Sequence, residues 1–219
     1  MKQTLNNEER NRLHQHVAEI EKRTGAQIVF AVIERSDNYD ELPWKAFALG
    51  VSIACLVVGA ANYLRPEWSS GTDVIIAVVA MLAAGAGLAL LAVGVPALAR
   101  LFLAGQRASV EVRQYAESLF LAHELFATRS RSGILLLISL FERQIIILPD
   151  TGLRQIISPD ALQIIIDRMS RELASGRIAR SLEEGLAELE KIIDAAVSGK
   201  SAEAGDNEIA VEIIEEKGA

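Results

Sequence analysis

The period of apolar positions changes several times along the chain, and each change marks an element. Residues 6–24 set Leu13, Val17 and Ile20 three and four apart with charged residues between them, which predicts an amphipathic helix closed at Gly25. Residues 26–33 (AQIVFAVI) are almost continuously apolar and β-branched, the pattern of a strand covered on both faces. Two uncharged runs follow, 46–64 and 74–99, of 19 and 26 positions. At about 1.5 Å per residue they make helices of roughly 28 and 39 Å, against a hydrocarbon core of about 30 Å. The pair predicts a transmembrane hairpin whose longer helix tilts or extends beyond the core, with Pro96 disturbing its end.

The helical period then returns. Val112, Ala116, Leu119, Phe120, His123 and Phe126 share one face of a helix expected over 105–127. Gly133 opens GILLLISLF, and Glu142-Arg143 separates it from QIIIL at 144–148, which predicts a tight antiparallel hairpin. Ser158-Pro159-Asp160 supplies an N-cap hydroxyl, a first-position proline and a first-turn acid. The helix they start buries Leu162, Ile165, Ile166, Met169 and Leu173 and stops at Gly176. Ser181 with Glu184 suits a capping box, and Leu182, Leu186, Leu189, Ile193 and Val197 stripe the last helix.

One strand thus precedes the membrane hairpin and two follow it. A 45-residue flank cannot bury a two-faced strand alone, so 1–45 and 100–198 are expected to assemble into one α/β domain. Its fold is a small mixed sheet of three to four strands flanked by helices, interrupted by the hairpin at 46–99. Residues 199–219 carry six acids and two lysines from 200 onward and read as a mobile acidic tail, with a sticky stretch at IAVEII.

Composition agrees with a membrane segment: 51% of residues are hydrophobic and the mean hydropathy is +0.26. A net charge of −7 offers no positive field for a polyanion, so nucleic acid is not an expected partner. The lone Cys55 excludes an internal disulfide, a cysteine zinc site and an iron–sulfur cluster. The first 45 residues are polar and charged, so neither apolar run reads as a secretory signal. Arg35 and Lys45 precede the hairpin and Arg100, Arg107 and Arg113 follow it, whereas the connection 65–73 holds only Arg65. This bias predicts a plasma (inner) membrane protein with both termini cytoplasmic and the Trp68 loop outside. Small residues at Gly50 with Ala54, and at Ala83 with Gly87, would let the two helices approach closely.

Phosphoryl hydrolysis needs metal ions held by oxygen ligands, or a nucleophile beside an acid, to neutralise charge and aim water. Three acids stand at element ends: Asp37 after the first strand, Asp150 after the hairpin and Asp160 at a helix start. If the strands lie side by side, Asp37 and Asp150 share an edge and become candidate ligands for Ca²⁺ or Mg²⁺. Turn formation and helix-dipole stabilisation are the commoner roles for Asp at such places. His14 and His16 point about 200° apart on a helix and cannot form one metal site. His123, on an apolar face, reads as a hydrogen-bonded core residue. Arg129 and Arg131 have the chemistry to clamp a phosphate or lipid head group, although loop arginines near a membrane usually stay solvated. The chain has no glycine-rich phosphate loop, nucleophile elbow or zinc-helix motif.

Two pieces of sequence, LNNEERNRLHQHVAEIEKRTGAQIVFAVI and SGILLLISLFERQIIILPDTGLRQIISPD, together with the order of elements, resemble the TPM-domain family. That family is known from thylakoid-lumen phosphatase-like and photosystem II repair proteins. The resemblance is closest to bacterial members that carry a helical hairpin inside the domain, and it implies Gly133 and Gly152 as family-matching backbone positions. Where many members read Gly-x-Gly-Leu-Glu, this chain reads Asp150-Thr151-Gly152-Leu153-Arg154. The first glycine and the terminal acid are replaced, which removes the basis for carrying over that loop's metal or phosphate chemistry. The expectation is a non-catalytic accessory or scaffold for another membrane protein or for envelope maintenance. It requires no cofactor, and its partners are the lipid bilayer and another membrane protein or a second copy. The alternative is a membrane-tethered, metal-assisted phosphatase using Asp37, Asp150 and Asp160. That alternative needs acids within about 8 Å of one another, since ligands of one ion lie no further apart.

Overall fold

The computed structural model describes residues 5–64, 71–128, 130–197 and 213–218. In chain order the elements begin with α1 (Asn7–Thr24), β1 (Gln27–Arg35), α2 (Glu41–Leu64), α3 (Gly71–Gly94), the short α4 (Pro96–Ala99) and α5 (Gly105–Ala122). They continue with β2 (Gly133–Ser139), β3 (Gln144–Pro149), the short α6 (Thr151–Arg154), α7 (Pro159–Ala174), α8 (Ile178–Val197) and β4 (Ile213–Gly218). The chain divides into two compact units, one of residues 1–37 with 108–219 and one of residues 38–107.

The first unit is a mixed sheet of order β3-β2-β1-β4, with helices on both faces. β1 runs parallel to β2 and β4, and β3 returns antiparallel to β2. The unbroken apolar run of β1 is explained by this double cover. Ile28, Phe30 and Val32 face a cluster with α1, α7 and α8, whereas Val29, Ala31 and Ile33 face Val112, Ala116 and Leu119 of α5. Each alternate residue therefore leaves water on its own side, at about 25 cal/mol per Å² of apolar surface removed.

Helix ends follow local chemistry. α1 closes on Gly25 in the left-handed conformation, whose N–H donates to the Glu21 carbonyl at 2.8 Å. α7 starts where Ser158 Oγ accepts the Ala161 N–H at 3.2 Å. α5 stops at Ala122 instead of running to 127, because Glu124 takes a left-handed conformation (φ 51°) before a 3-10 turn at Leu125–Ala127. Leu125 is buried in that turn, while His123 lies beyond the helix and is half-buried and Phe126 is exposed. The long apolar face expected through His123 and Phe126 thus ends at Phe120.

The acidic tail expected from 199 contains a strand. Residues 213–218 form β4, with Ile213 and Ile214 buried on β1. The two isoleucines that made the stretch sticky give it a sheet edge to cover; the rest of the tail lies outside the described residues.

In the second unit, α2 starts at Glu41, earlier than the apolar run, because Pro43 falls in the first turn, where its missing N–H is not needed. α3 ends at Gly94, since Pro96 cannot continue it. Both are 24 residues long with mean hydropathy of 1.9 and 2.7, long and apolar enough to cross a membrane, and only 6% of each apolar window is buried. They pack closely at Gly50, where an added Cβ would lie 2.9 Å from the Ala84 carbonyl oxygen and from the Gly85 Cα. Gly87 has open space, so the close approach uses Gly85, two residues from each of the expected Ala83 and Gly87 and so on roughly the opposite face of α3. Within this unit Arg107 pairs with Glu41 at 3.2 Å and stands over the Tyr39 ring.

A charged cluster joins α1 to α8. Arg23 bonds Glu190 at 2.6 Å and Asp194 at 2.9 Å, and His16 Nε2 lies 3.0 Å from Glu190. The Arg23 bond is the main cause of a Glu190 pKa below the usual carboxylate range. A lowered folded pKa stabilises fully above the unfolded value and is lost as pH falls through the folded one. Glu190→Gln is expected to lower stability by about 0.5–1 kcal/mol at pH 7, screened by half-exposed partners. Denaturation curves of the two proteins should converge as pH falls below the carboxylate range, and a gap that persists there would overturn the assignment.

Candidate functional site

Strand direction decides where the expected acids stand. β1 and β2 run together from Gln27 and Gly133, and β3 comes back so that Pro149 pairs with Ile134. Asp150 therefore arrives at the end where β1 and β2 begin, and its N–H donates to the Gly133 carbonyl at 2.8 Å. Asp37 follows Arg35, at the opposite end of β1. The nine residues of β1 put roughly 26 Å of strand between the two. They cannot share an ion, and the shared edge expected for them is corrected by the parallel pairing of β1 with β2, from which the antiparallel β3 returns to the far end. Asp160 is exposed in the first turn of α7, a helix-dipole position.

At the Asp150 end the backbone is drawn tight. Gly133 and Gly152, the two expected backbone positions, are both places where no side chain fits. A Cβ on Gly133 would lie 2.1 Å from the Leu125 carbonyl oxygen, and one on Gly152 would lie 2.4 Å from that of Ser130. Gly152 N–H donates to the Arg131 carbonyl at 3.1 Å, and Ser132 Oγ donates to the Gly25 carbonyl at 2.9 Å. Arg131 itself is left-handed, at φ 54°.

Asp150 is 5% exposed. Its Oδ1 accepts the Thr151 N–H at 2.7 Å and its Oδ2 lies 3.1 Å from Arg131 Nε. Arg131 also donates to the Phe126 carbonyl at 2.8 Å. A guanidinium thus holds the side from which a divalent ion would reach Oδ2. Among the described residues no three His, Cys, Asp or Glu side chains converge as a metal set. The loop as folded does not fit a cation of oxygen-rich coordination. Beside it opens a cleft of about 280 Å³ lined by Glu117, Phe120, Leu121, Leu148, Thr151 and Arg154. Arg154 is committed to the Pro149 carbonyl, at 2.9 Å.

The opposite end holds a polar cluster that no local pattern marks. Glu142, between β2 and β3, accepts the Ser36 N–H at 2.9 Å, the Ser36 hydroxyl at 2.6 Å and the Ser139 hydroxyl. Ser139 is wholly buried at the end of an apolar strand, and a buried hydroxyl needs a partner. That was the available signal. The cluster ties the β2–β3 connection to the end of β1, assisted by Arg35 lying 5.0 Å from the Phe141 ring centre.

His14 and His16 lie on α1, with His16 committed to α8. Arg129 lies outside the described residues.

Comparisons with known proteins agree with this architecture. The solved structure of BA42 protein from the psychrophilic bacterium Bizionia argentinensis covers 99% of this chain and 97% of its own, with a TM-score of 0.54. At 12% identity that likeness speaks to the fold alone. No curated protein matches the sequence. A family model described as the TPM domain matches residues 57–192, more than half of the chain, and the chain belongs to the TPM-domain family.

Proposed function

We propose that this protein is a two-span integral membrane protein of the plasma (inner) membrane, with both termini cytoplasmic. Its TPM domain serves as a non-catalytic accessory or scaffold for another membrane protein or for envelope maintenance. The observation that carries the membrane part is the exposure of α2 and α3. Leu56, Ile75 and Leu90 are 74%, 66% and 73% exposed, on helices of whose apolar windows only 6% is buried. Such apolar surface is stable in lipid and costly in water. The scaffold part rests on the acids: Asp150 is occupied as a turn cap and ion-pair partner of Arg131, and Asp37 stands a strand length away.

The test is paired. The chain should stay with the membrane pellet in alkaline carbonate, and an alkaline-phosphatase reporter after Ala219 should be inactive while one placed in the 65–70 connection is active. Extraction into the supernatant, or strong activity after Ala219, would overturn the reading. Calorimetric titration of Ca²⁺ and Mg²⁺ should give no binding that Asp150→Asn removes. Binding lost in that variant would turn the reading to the metal-assisted phosphatase.

A further inference from the structure

The sheet has two edges, and they differ in chemistry. β4 forms one and carries Glu215, Glu216 and Lys217, whereas β3 forms the other and reads QIIILP, without a charge. Charges and prolines are the usual protection of an exposed edge, and β3 has only Pro149, at its end.

Register decides which atoms stand along β3. Because Asp150 N–H donates to the Gly133 carbonyl, the bonded pairs are Gly133–Asp150, Leu135–Leu148, Leu137–Ile146 and Ser139–Gln144. Ile145 and Ile147 therefore turn N–H and C=O away from β2, and among the described residues no strand meets them. Pro149 ends the row, since it has no N–H and its carbonyl accepts Arg154 Nε at 2.9 Å.

Beside this row opens the cleft of about 280 Å³, with Phe120 and Leu121 of α5 and Leu148 of β3 as its apolar lining. Leu121 is 62% exposed there. Of the charged groups around the cleft, Glu117 is paired with Arg113 and Asp150 with Arg131. Arg154 is paired with no carboxylate among the described residues, and its two terminal nitrogens are left over after the Nε bond.

These features suit one kind of ligand. Outward main-chain groups take up an extended peptide, the cleft takes one of its apolar side chains and the guanidinium takes a carboxylate. A peptide parallel to β3 runs out of main-chain partners at Pro149, where Arg154 stands, so the carboxylate in reach is the peptide's own end. A second copy of β3, laid antiparallel across a two-fold axis, would instead bring Arg143 to the Arg154 end, cation against cation. This chain's own C-terminal strand is committed to the opposite edge.

We propose that the β3 edge, with the Phe120, Leu121 and Leu148 cleft and Arg154, binds the free C-terminus of a partner protein, an extended segment ending in an apolar residue. The site rests on the scaffold reading and names what the scaffold holds. Carbonate extraction and metal titration test that reading independently of peptide binding, so each can fail alone.

The test presents the full chain in detergent micelles to phage displaying random seven-residue C-termini. Peptides enriched on the native chain over Arg154→Gln should end in an apolar residue. A labelled peptide of the selected sequence, followed by fluorescence anisotropy, should bind about tenfold more weakly when its C-terminus is amidated. Arg154→Gln should weaken it as much, and Arg154→Lys should retain most of the binding. Leu121→Glu, at an exposed position, should weaken binding without touching the core. Absence of enrichment, or binding indifferent to amidation, would overturn the site. Dimers of the native chain that Leu121→Glu dissolves, with no peptide enriched, would overturn it in favour of a second copy.

Discussion

Gly133→Ala is expected to destabilise the α/β unit by about 3 kcal/mol or more, a large fraction of the usual 5–15 kcal/mol. The added methyl would meet the Leu125 carbonyl oxygen at 2.1 Å, and this contact is backbone on backbone, so no rotamer change relieves it. The β1–β2 pairing starts at Gly133, whose carbonyl also accepts from Asp150. Relief by shifting β2 would disturb both. Gly176→Ala is the control: Gly176 has φ 76° with open space around it, so alanine there costs only the left-handed penalty, about 1 kcal/mol. Hydrogen exchange read by mass spectrometry on peptides from β1 and β2 measures the difference without relying on tryptophan fluorescence. Protection in Gly133→Ala should fall far below that in Gly176→Ala. Equal protection would mean that the loop before β2 yields more easily than its hydrogen bonds imply.

The same residue shows what a sequence can carry. Gly133 and Gly152 were marked by the resemblance to the TPM-domain family as backbone positions, and the close approach of backbone to backbone that excludes a side chain at each is visible only in the folded loop. The doubly covered β1 was legible from its unbroken apolar run, and α7 from its cap, because these signals are local. The position of Asp37 relative to Asp150 was not. Both follow strands, and it is the parallel pairing of β1 with β2 that makes the hairpin's expected antiparallel return carry Asp150 to the end where β1 begins, away from Asp37. β4 was hidden for a similar reason: IIEEKG has two apolar residues, too few to predict a strand, and it becomes one because the β1 edge is there to receive it. Glu142 was hidden because its partners Ser36 and Ser139 meet it only after the hairpin folds back on β1. Local rules name elements, and the ends of the sheet are assembled by topology.

The site follows from those same constraints. The buried Asp150 holds the first turn of α6 and the Arg131 side chain at once. Removing its charge would leave Arg131 without its carboxylate beside a backbone already crowded at Gly152. An acid so committed is a structural pivot, and this is why the scaffold reading gives it no proton or metal to handle.

Gly50→Leu is the second substitution with a large expected effect, and it acts on the other unit. An added Cβ at Gly50 meets the Ala84 carbonyl oxygen and the Gly85 Cα, both at 2.9 Å, so a branched side chain forces α2 and α3 apart. Lipid tails are as apolar as leucine, so close packing rather than water exclusion holds such helices together. Overpacking of this kind costs about 1–3 kcal/mol. Gly85→Leu meets Val51 and Phe47 side chains, which can rotate, and should cost less. Gly59→Leu and Gly87→Leu add the same apolar surface to open space and should leave the hairpin unchanged. Resistance to unfolding by SDS, followed by circular dichroism in mixed micelles, ranks the four variants. Gly50→Leu should unfold at the lowest detergent fraction, then Gly85→Leu, with the other two indistinguishable from the native chain. If Gly87→Leu proved as damaging as Gly50→Leu, the helices would meet through the Ala83 and Gly87 face that the small-residue spacing first suggested. The Gly50–Gly85 crossing would then be wrong.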